Sequence, residues 1–177
     1  EIYHMSNRSF HKILSEKFRF EPTPSQARGL EKIAHFLSNS SEDSLLLIKG
    51  YAGTGKTTLI GHLVQQLGII RKKAVLMAPT GRAAKVLSAY AGKTALTIHK
   101  KIYFPKKDSA GTGVQFTLKE NKNTHTVFIV DESSMIGDER QQSKLFGNGS
   151  LLHDLVHYVN NGETVSYTHL TLPTKVR

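Results

Sequence analysis

The sequence contains no cysteine among its 177 residues, which excludes a disulfide framework, a thiolate zinc site and a cysteine nucleophile. It also lacks a long apolar run, because the stretch at 45–48 is far short of the roughly 20 residues that span a bilayer. The first residues do not form the basic and apolar regions of a secretion signal. We therefore expect a cytoplasmic protein.

Acidic residues are few beside basic ones, 14 against 24, so the formal net charge is +10. Such a charge attracts polyanions, although an ordinary basic surface would explain it equally well. The placement of the cations favours nucleic acid, since they recur near the loops described below: Lys49, Lys56, Arg82, Lys85, Lys93, Lys100, Lys101, Lys106 and Lys107.

Apolar periodicity predicts one α/β domain. Runs at 45–48, 74–78 and 126–130 are short and continuous, as in strands that are buried on both faces of a parallel sheet. Residues 24–38 and three later stretches, which begin near 59, 83 and 151, have helical spacing. The stretch at 95–103 predicts a short helix, and residues 1–20 a short helix or an adaptor segment. The alternating order predicts a doubly wound, parallel sheet flanked by helices.

A glycine-rich loop follows the first strand and precedes a helix. Residues 50–57 read GYAGTGKT, which satisfies G-x-x-x-x-G-K-[ST] in the expected context. Its glycines let successive backbone N–H groups converge on a phosphate. The lysine reaches the β- and γ-phosphates, and the threonine hydroxyl is a hard ligand for Mg²⁺. The predicted ATP-binding residues in the loop are Gly50, Gly53, Thr54, Gly55, Lys56, Thr57 and Thr58.

Two adjacent acids end the third predicted strand. At the carboxyl end of a parallel strand, Asp131 would hold the metal together with Thr57, and Glu132 is the candidate base for hydrolysis. A helix N-terminus that favours negative charge is the alternative explanation. The phosphate loop favours the catalytic one, with Lys56 and Glu132 as catalytic residues and ATP and Mg²⁺ as cofactors.

Five blocks stand in the order found in superfamily 1 DNA helicases: TPSQ at 23–26, GYAGTGKTT at 50–58, APTGRAAKVLS at 78–88, TIHKKIY at 97–103 and VDESSM at 130–135. Over residues 20–163 the chain resembles the RecD-like and Dda-like branch of that family. The resemblance implies a RecA-like, P-loop NTPase domain of an ATP-dependent helicase that moves 5′ to 3′ on single-stranded DNA and unwinds duplex junctions. DESS stands where many relatives have DE-[AV]-S.

The resemblance also assigns roles. It implies that Gln26 reads the adenine edge, for which an amide offers both a donor and an acceptor; an exposed helix residue is the alternative. It implies DNA contacts for Thr80, Thr97 and His99, and less directly for Arg82. Residues 103–125 predict a hairpin insertion where the family carries a strand-splitting pin, with Phe104 and Phe116 available either to stack on bases or to pack the hairpin onto the domain.

The sequence divides into an N-terminal segment at 1–20, an ATP-binding helicase domain at 21–164 and a tail at 165–177. The tail reads as the translation of a sequencing adapter, and we expect it to be non-native. The later family motifs, including the arginines of a second RecA-like domain, have no match here. We therefore expect a truncated motor that needs that second domain in cis and does not unwind DNA by itself.

Two other functions stay open. Another type of P-loop ATPase would share the phosphate loop but not TIHK, and a nucleotide-dependent DNA-binding module would bind ATP without turnover. A zinc site is disfavoured, because the nine histidines offer no ligand set beyond the helical pair His153 and His157.

Overall fold

A computed structural model of the chain describes the following residues: 7–39, 44–51, 53–107, 111, 113–136, 146–147, 149–161, 168–172 and 174–175. Six α-helices lie within this part of the chain: α1 (Asn7–Glu16), α2 (Pro24–Asn39), α3 (Lys56–Gln66), α4 (Gly81–Ala91), α5 (Ile98–Ile102) and α6 (Leu151–Asn160). Short 3₁₀ turns lie at Leu67–Ile70 and Ser133–Met135.

Nine strands lie within the same part of the chain: β1 (Ser44–Leu47), β2 (Gly50–Tyr51), β3 (Lys73–Ala78), β4 (Ala95–Thr97), β5 (Tyr103–Lys107), β6 (Val114–Leu118), β7 (Thr126–Asp131), β8 (Thr168–Leu172) and β9 (Thr174–Lys175). The central sheet has the order β1-β8-β7-β3-β4, and all of its pairings are parallel. The carboxyl ends of its strands therefore meet at one edge, as a doubly wound sheet requires.

Helices α1 to α4 pack on one face of the sheet. Alternate strand residues point to this face, such as Leu76 of β3 and Ile129 of β7. From α1, Phe10 and Leu14 are fully buried in the same apolar cluster. Helix α1 of the predicted N-terminal segment therefore packs, through these two residues, into the same core as α2, α3 and α4.

The other face is covered by α5, α6 and the hairpin that β5 and β6 form. Its core contains the intervening strand residues, such as Met77 and Phe128, with Ile98 of α5 and Leu155 of α6. The antiparallel pairing of β5 with β6 confirms the predicted hairpin. Helices thus pack on both faces of the middle strands β3 and β7, and the predicted α/β class is confirmed.

The prediction that the first strand is buried on both faces is wrong for β1. Leu46 is half-buried against the α1–α4 side, whereas Leu45 and Leu47 are 61 % and 47 % exposed. Strand β1 is an edge strand, and α6 packs on the strands at the middle of the sheet. A run of leucines indicates that a strand is apolar, but it does not indicate whether a helix covers each side of the strand.

Two strands of the central sheet lie where the sequence predicted none. Residues 95–97, the first part of the predicted short helix, form β4, which pairs with β3. The helix α5 begins only at Ile98. Residues 168–172 of the tail form β8, which lies between β1 and β7. Threonine and leucine suit a strand, and two parallel neighbours satisfy its backbone groups on both sides. The adapter origin of the tail stays a prediction.

Candidate nucleotide site

The phosphate loop joins β1 to α3 at the carboxyl edge of the sheet. Gly53 and Gly55 have φ of 79° and 78°, a left-handed conformation that glycine adopts without strain. A Cβ on Gly55 would also lie 2.5 Å from Nε2 of Gln26. The loop therefore requires glycine at position 55 for its conformation, and a larger residue there would also displace the Gln26 amide.

Helix α3 begins at Lys56 without a side-chain cap, since its N-cap residue is Gly55. The first backbone N–H groups of the helix have no intrahelical acceptor, so they are available to an anion. Lys56 Nζ donates a hydrogen bond of 2.7 Å to the Gly50 carbonyl, which holds the ammonium over the loop. These are the groups that a bound polyphosphate needs.

Asp131 ends β7 beside the loop, as predicted. Burial raises the pKa of its carboxyl, while the Glu132 N–H, the Lys56 charge and a hydrogen bond from the Thr57 hydroxyl oppose that shift. The N–H of Glu132 donates to Asp131 Oδ1 over 2.9 Å. The carboxylate and the Thr57 hydroxyl are thus already in contact, and both are hard oxygen ligands of the kind that Mg²⁺ prefers.

Glu132 differs from Asp131 in having an uncommitted side chain. Its backbone is left-handed, with φ of 55°, which turns the chain sharply after the strand. Its carboxylate makes no hydrogen bond or ion pair with any residue that the structure describes, and it lines the cleft. The two adjacent acids are therefore in different environments, one held by neighbours and one open to a ligand.

These groups share one cleft of about 790 Å³, which is the size of a small-molecule site. One wall is formed by the phosphate loop and the end of β7. Another is the face of α4 that bears Arg82, Val86 and Tyr90, and Met135 lies beside it. Sequence reasoning missed Val86, Tyr90 and Met135. For Val86 and Tyr90, the four-residue spacing from Arg82 on one helical face was a signal that could have indicated them.

Gln26 lies next to the loop but not in the lining of the cleft. Its Oε1 accepts a hydrogen bond from the Thr23 N–H, and Thr23 Oγ1 accepts one from the Gln26 N–H, over 3.0 Å and 3.3 Å. This is a reciprocal capping box at the start of α2, which the T-x-x-Q pattern would have indicated. Its Nε2 faces Gly55, so the adenine-reading role stays a prediction.

Thr80 and Thr97 are both N-cap residues, each of a different helix. Thr80 caps α4 by accepting a hydrogen bond from the Ala83 N–H, and Thr97 caps α5 by accepting one from the Lys100 N–H, each over 3.2 Å. A hydroxyl that accepts in this way still has its own proton to donate. Thr97 is the last residue of β4 and Thr80 lies two residues after the end of β3, and both lie at the same edge of the sheet, since Ala78 pairs with Thr97.

The predicted DNA-contacting residues do not form one group. Thr80 and Arg82 line the nucleotide cleft, whereas Thr97 and His99 do not. The ring of His99 is half-buried and packs edge-on against Phe146, with centroids 5.1 Å apart, and burial lowers its pKa. Burial therefore disfavours the charged form of His99, which belongs to an aromatic cluster with Tyr103 and Phe146.

The two phenylalanines of the hairpin have different surroundings. Phe116 stacks on Phe146 with centroids 4.5 Å apart, so it packs the hairpin onto the domain. Phe104 pairs across the hairpin with Thr117, on the opposite face from Phe116, and is 40 % exposed. Only Phe104 of this pair is therefore open to a base.

Two further observations concern membrane-spanning helices and metal sites. Within the described ranges no helix is both long and apolar enough to cross a membrane. The rings of His153 and His157 stack with centroids 6.2 Å apart, but the described residues contain no group of three metal-binding side chains.

Comparison with known proteins agrees with this geometry. A family model described as an AAA domain matches residues 34–156, more than half of the chain. The chain is also 35 % identical over 128 residues to an ATP-dependent RecD2 DNA helicase from Deinococcus radiodurans. That match covers 69 % of the chain and 16 % of the relative, so the chain spans about a sixth of the length of that protein. The chain belongs to the AAA domain family and, within it, is related to the RecD-like superfamily 1 helicases.

Proposed function

We propose that this chain is the ATP-binding part of a 5′–3′ DNA helicase, which couples hydrolysis of Mg·ATP to movement on single-stranded DNA. One observation supports this most strongly: Asp131 interacts with both the Lys56 charge and the Thr57 hydroxyl in a cleft where the carboxylate of Glu132 is uncommitted. The relationship to a RecD2 DNA helicase supports the choice of DNA as the track.

The residues of the cleft divide the work of hydrolysis. The N–H groups at the start of α3 and the Lys56 ammonium bind the phosphates and offset their charge. Thr57 and Asp131 would hold Mg²⁺, which when bound neutralises charge on the phosphates. The Glu132 carboxylate is free to accept a proton from an attacking water.

Nucleotide binding by the chain itself is the first test. A fluorescent ATP analogue in Mg²⁺ should bind the wild-type chain, and Lys56→Ala should weaken binding by about a hundredfold or more, because a buried phosphate loses its main cation. Lys49→Ala removes an exposed lysine just before the loop and serves as the control. Equal affinity of wild type and Lys56→Ala would contradict the proposed phosphate site.

Turnover separates a motor from a binding module. In the full-length protein, Glu132→Gln should keep nucleotide affinity and lower DNA-stimulated phosphate release by about 10²–10⁴-fold, since it removes the base but keeps the shape. Retained hydrolysis would exclude Glu132 from this role. A wild type that binds ATP and DNA without phosphate release would favour the binding module.

DNA binding and direction need two separate measurements. Affinity for oligo(dT) should fall steeply with salt, because lysines that neutralise phosphates release counterions. Unwinding of duplexes with a 5′ or a 3′ single-stranded tail, by the full-length protein, tests the direction of movement. A flat salt response argues against a basic DNA groove, and preference for 3′ tails argues against the proposed polarity.

A further inference from the structure

Arg82 has an unusual position for a DNA-contacting residue. It is the second residue of α4, and it lines the same cleft as Lys56, Thr57, Asp131 and Glu132. Its side chain is exposed and makes no hydrogen bond or ion pair with any residue that the structure describes. An uncommitted guanidinium that lines a cleft offers up to five N–H donors to an anionic ligand.

The helix fixes which way this side chain faces. Arg82, Val86 and Tyr90 are spaced by four residues and all line the cleft, so they form one continuous face of α4. Lys85 is also exposed on α4 but does not line the cleft. The same helix thus has one cation directed to the nucleotide site and one directed away from it.

The two cations of the cleft differ in what they can reach. The first N–H groups of α3 follow the phosphate loop and would bind the β-phosphate that ATP and ADP share, and Lys56, held over the loop, would reach both the β- and the γ-phosphate. Arg82 belongs to a separate wall, the start of α4, which follows β3, and β3 is a neighbour of β7, the strand that ends at Asp131. A cation outside the loop would be placed to contact the part of a bound polyphosphate that extends beyond the loop.

We infer that Arg82 binds the terminal phosphate of ATP and so distinguishes ATP from ADP, rather than contacting DNA. This rests on the proposed function and adds a specificity-determining residue to the same site. The guanidinium would donate two parallel N–H bonds to γ-phosphate oxygens, which an ammonium at the same place cannot do.

The experiment measures the affinity of the chain for fluorescent ATPγS and fluorescent ADP in Mg²⁺, by anisotropy. Arg82→Gln should weaken ATPγS binding about tenfold or more, the usual effect of losing hydrogen bonds to a charged group, and change ADP binding less than about twofold. Arg82→Lys should lie between wild type and Arg82→Gln for ATPγS. Lys85→Gln is the matched control and should change neither affinity.

Three outcomes would overturn the inference. An equal loss of both nucleotides in Arg82→Gln would indicate a general effect on the site, and no loss would remove Arg82 from it. A drop in oligo(dT) affinity without nucleotide, beyond that of Lys85→Gln, would return Arg82 to the DNA. Lys56→Ala separates the two proposals. If neither the wild type nor Lys56→Ala binds nucleotide, the proposed function fails. If the wild type binds and Lys56→Ala does not, the nucleotide site is supported, and Arg82→Gln then tests the role of Arg82.

Discussion

The two faces of the central sheet are held together by different means. The face under α1 to α4 is mainly apolar, apart from a buried contact of 2.7 Å between His62 Nε2 and the Leu14 carbonyl, and there Gly61 allows the backbones of α3 and α4 to touch. The face under α5 and α6 contains polar groups that are buried in pairs, such as the Tyr103 hydroxyl, which donates to Asp154 Oδ2 over 2.6 Å. Close packing fixes distances, whereas buried polar pairs fix which partners meet.

This difference matches what each face positions. The apolar face carries α3 and α4, which supply Lys56 and Arg82 to the cleft. The other face carries the base of the hairpin, where Asn121 is buried and its Nδ2 donates to the Val159 carbonyl over 3.2 Å. A hairpin has little core of its own, so specific hydrogen bonds and ring contacts locate it on the domain.

The largest effect should come from the ring that attaches the hairpin. Phe116→Ala should lower the free energy of unfolding by about 3 kcal/mol, because a packed aromatic ring is lost. Phe104→Ala, which removes an exposed ring on the other side of the hairpin, should cost less than about 0.5 kcal/mol. Urea denaturation measures both, and equal losses would mean that the two sides of the hairpin pack alike.

Gly61 tests the close packing of the apolar face. A Cβ at this position would lie 2.5 Å from the Tyr90 carbonyl oxygen, so Gly61→Ala should cost about 2 kcal/mol through overpacking, even though alanine favours a helix. Gly68→Ala is the control, since a Cβ there meets no atom within 4 Å. If thermal unfolding shows Gly61→Ala to be as stable as Gly68→Ala, the two helices are not in backbone contact.

Tyr103 tests the polar pair of the other face. Tyr103→Phe should cost about 1–2 kcal/mol, because the buried Asp154 carboxylate loses a donor. Burial, followed by the hydrogen bond to Asp154, raises the pKa of Tyr103 well above its ordinary value. Tyr90→Phe changes an exposed ring and should be neutral within about 0.5 kcal/mol. A neutral Tyr103→Phe in guanidinium denaturation would show that the pair does not stabilise the fold.

The smallest expected effect on stability comes from the two threonine caps, which compare one helix from each face directly. Thr80→Ala in α4 and Thr97→Ala in α5 should each cost about 1 kcal/mol, while Thr→Ser at either site keeps the acceptor and most of the stability. Oligo(dT) affinity measured on the same variants separates cap from contact. Loss of affinity in the serine variants, which retain the hydroxyl, would contradict a role for that hydroxyl in binding DNA.

Local patterns predicted the helices, the strands β1, β3 and β7 and the phosphate loop, because periodicity and G-x-x-x-x-G-K-T are encoded in neighbouring residues. The pair of Tyr103 and Asp154 could not be predicted this way, since its members are 51 positions apart. The exposure of Leu45 depends on how far α6 extends over the sheet. The cleft position of Arg82 depends on which face of α4 packs on α3.

The backbone contact at Gly61 has a mechanical consequence for the cleft. Because α3 and α4 touch there without intervening side chains, they should move as a single body, and close-packed interiors transmit displacement with little give. The distance between the start of α3 and the start of α4 should then stay constant. If Arg82 binds the terminal phosphate as inferred above, ATP would span this distance and ADP would not, so the domain would distinguish the two nucleotides without closing around them.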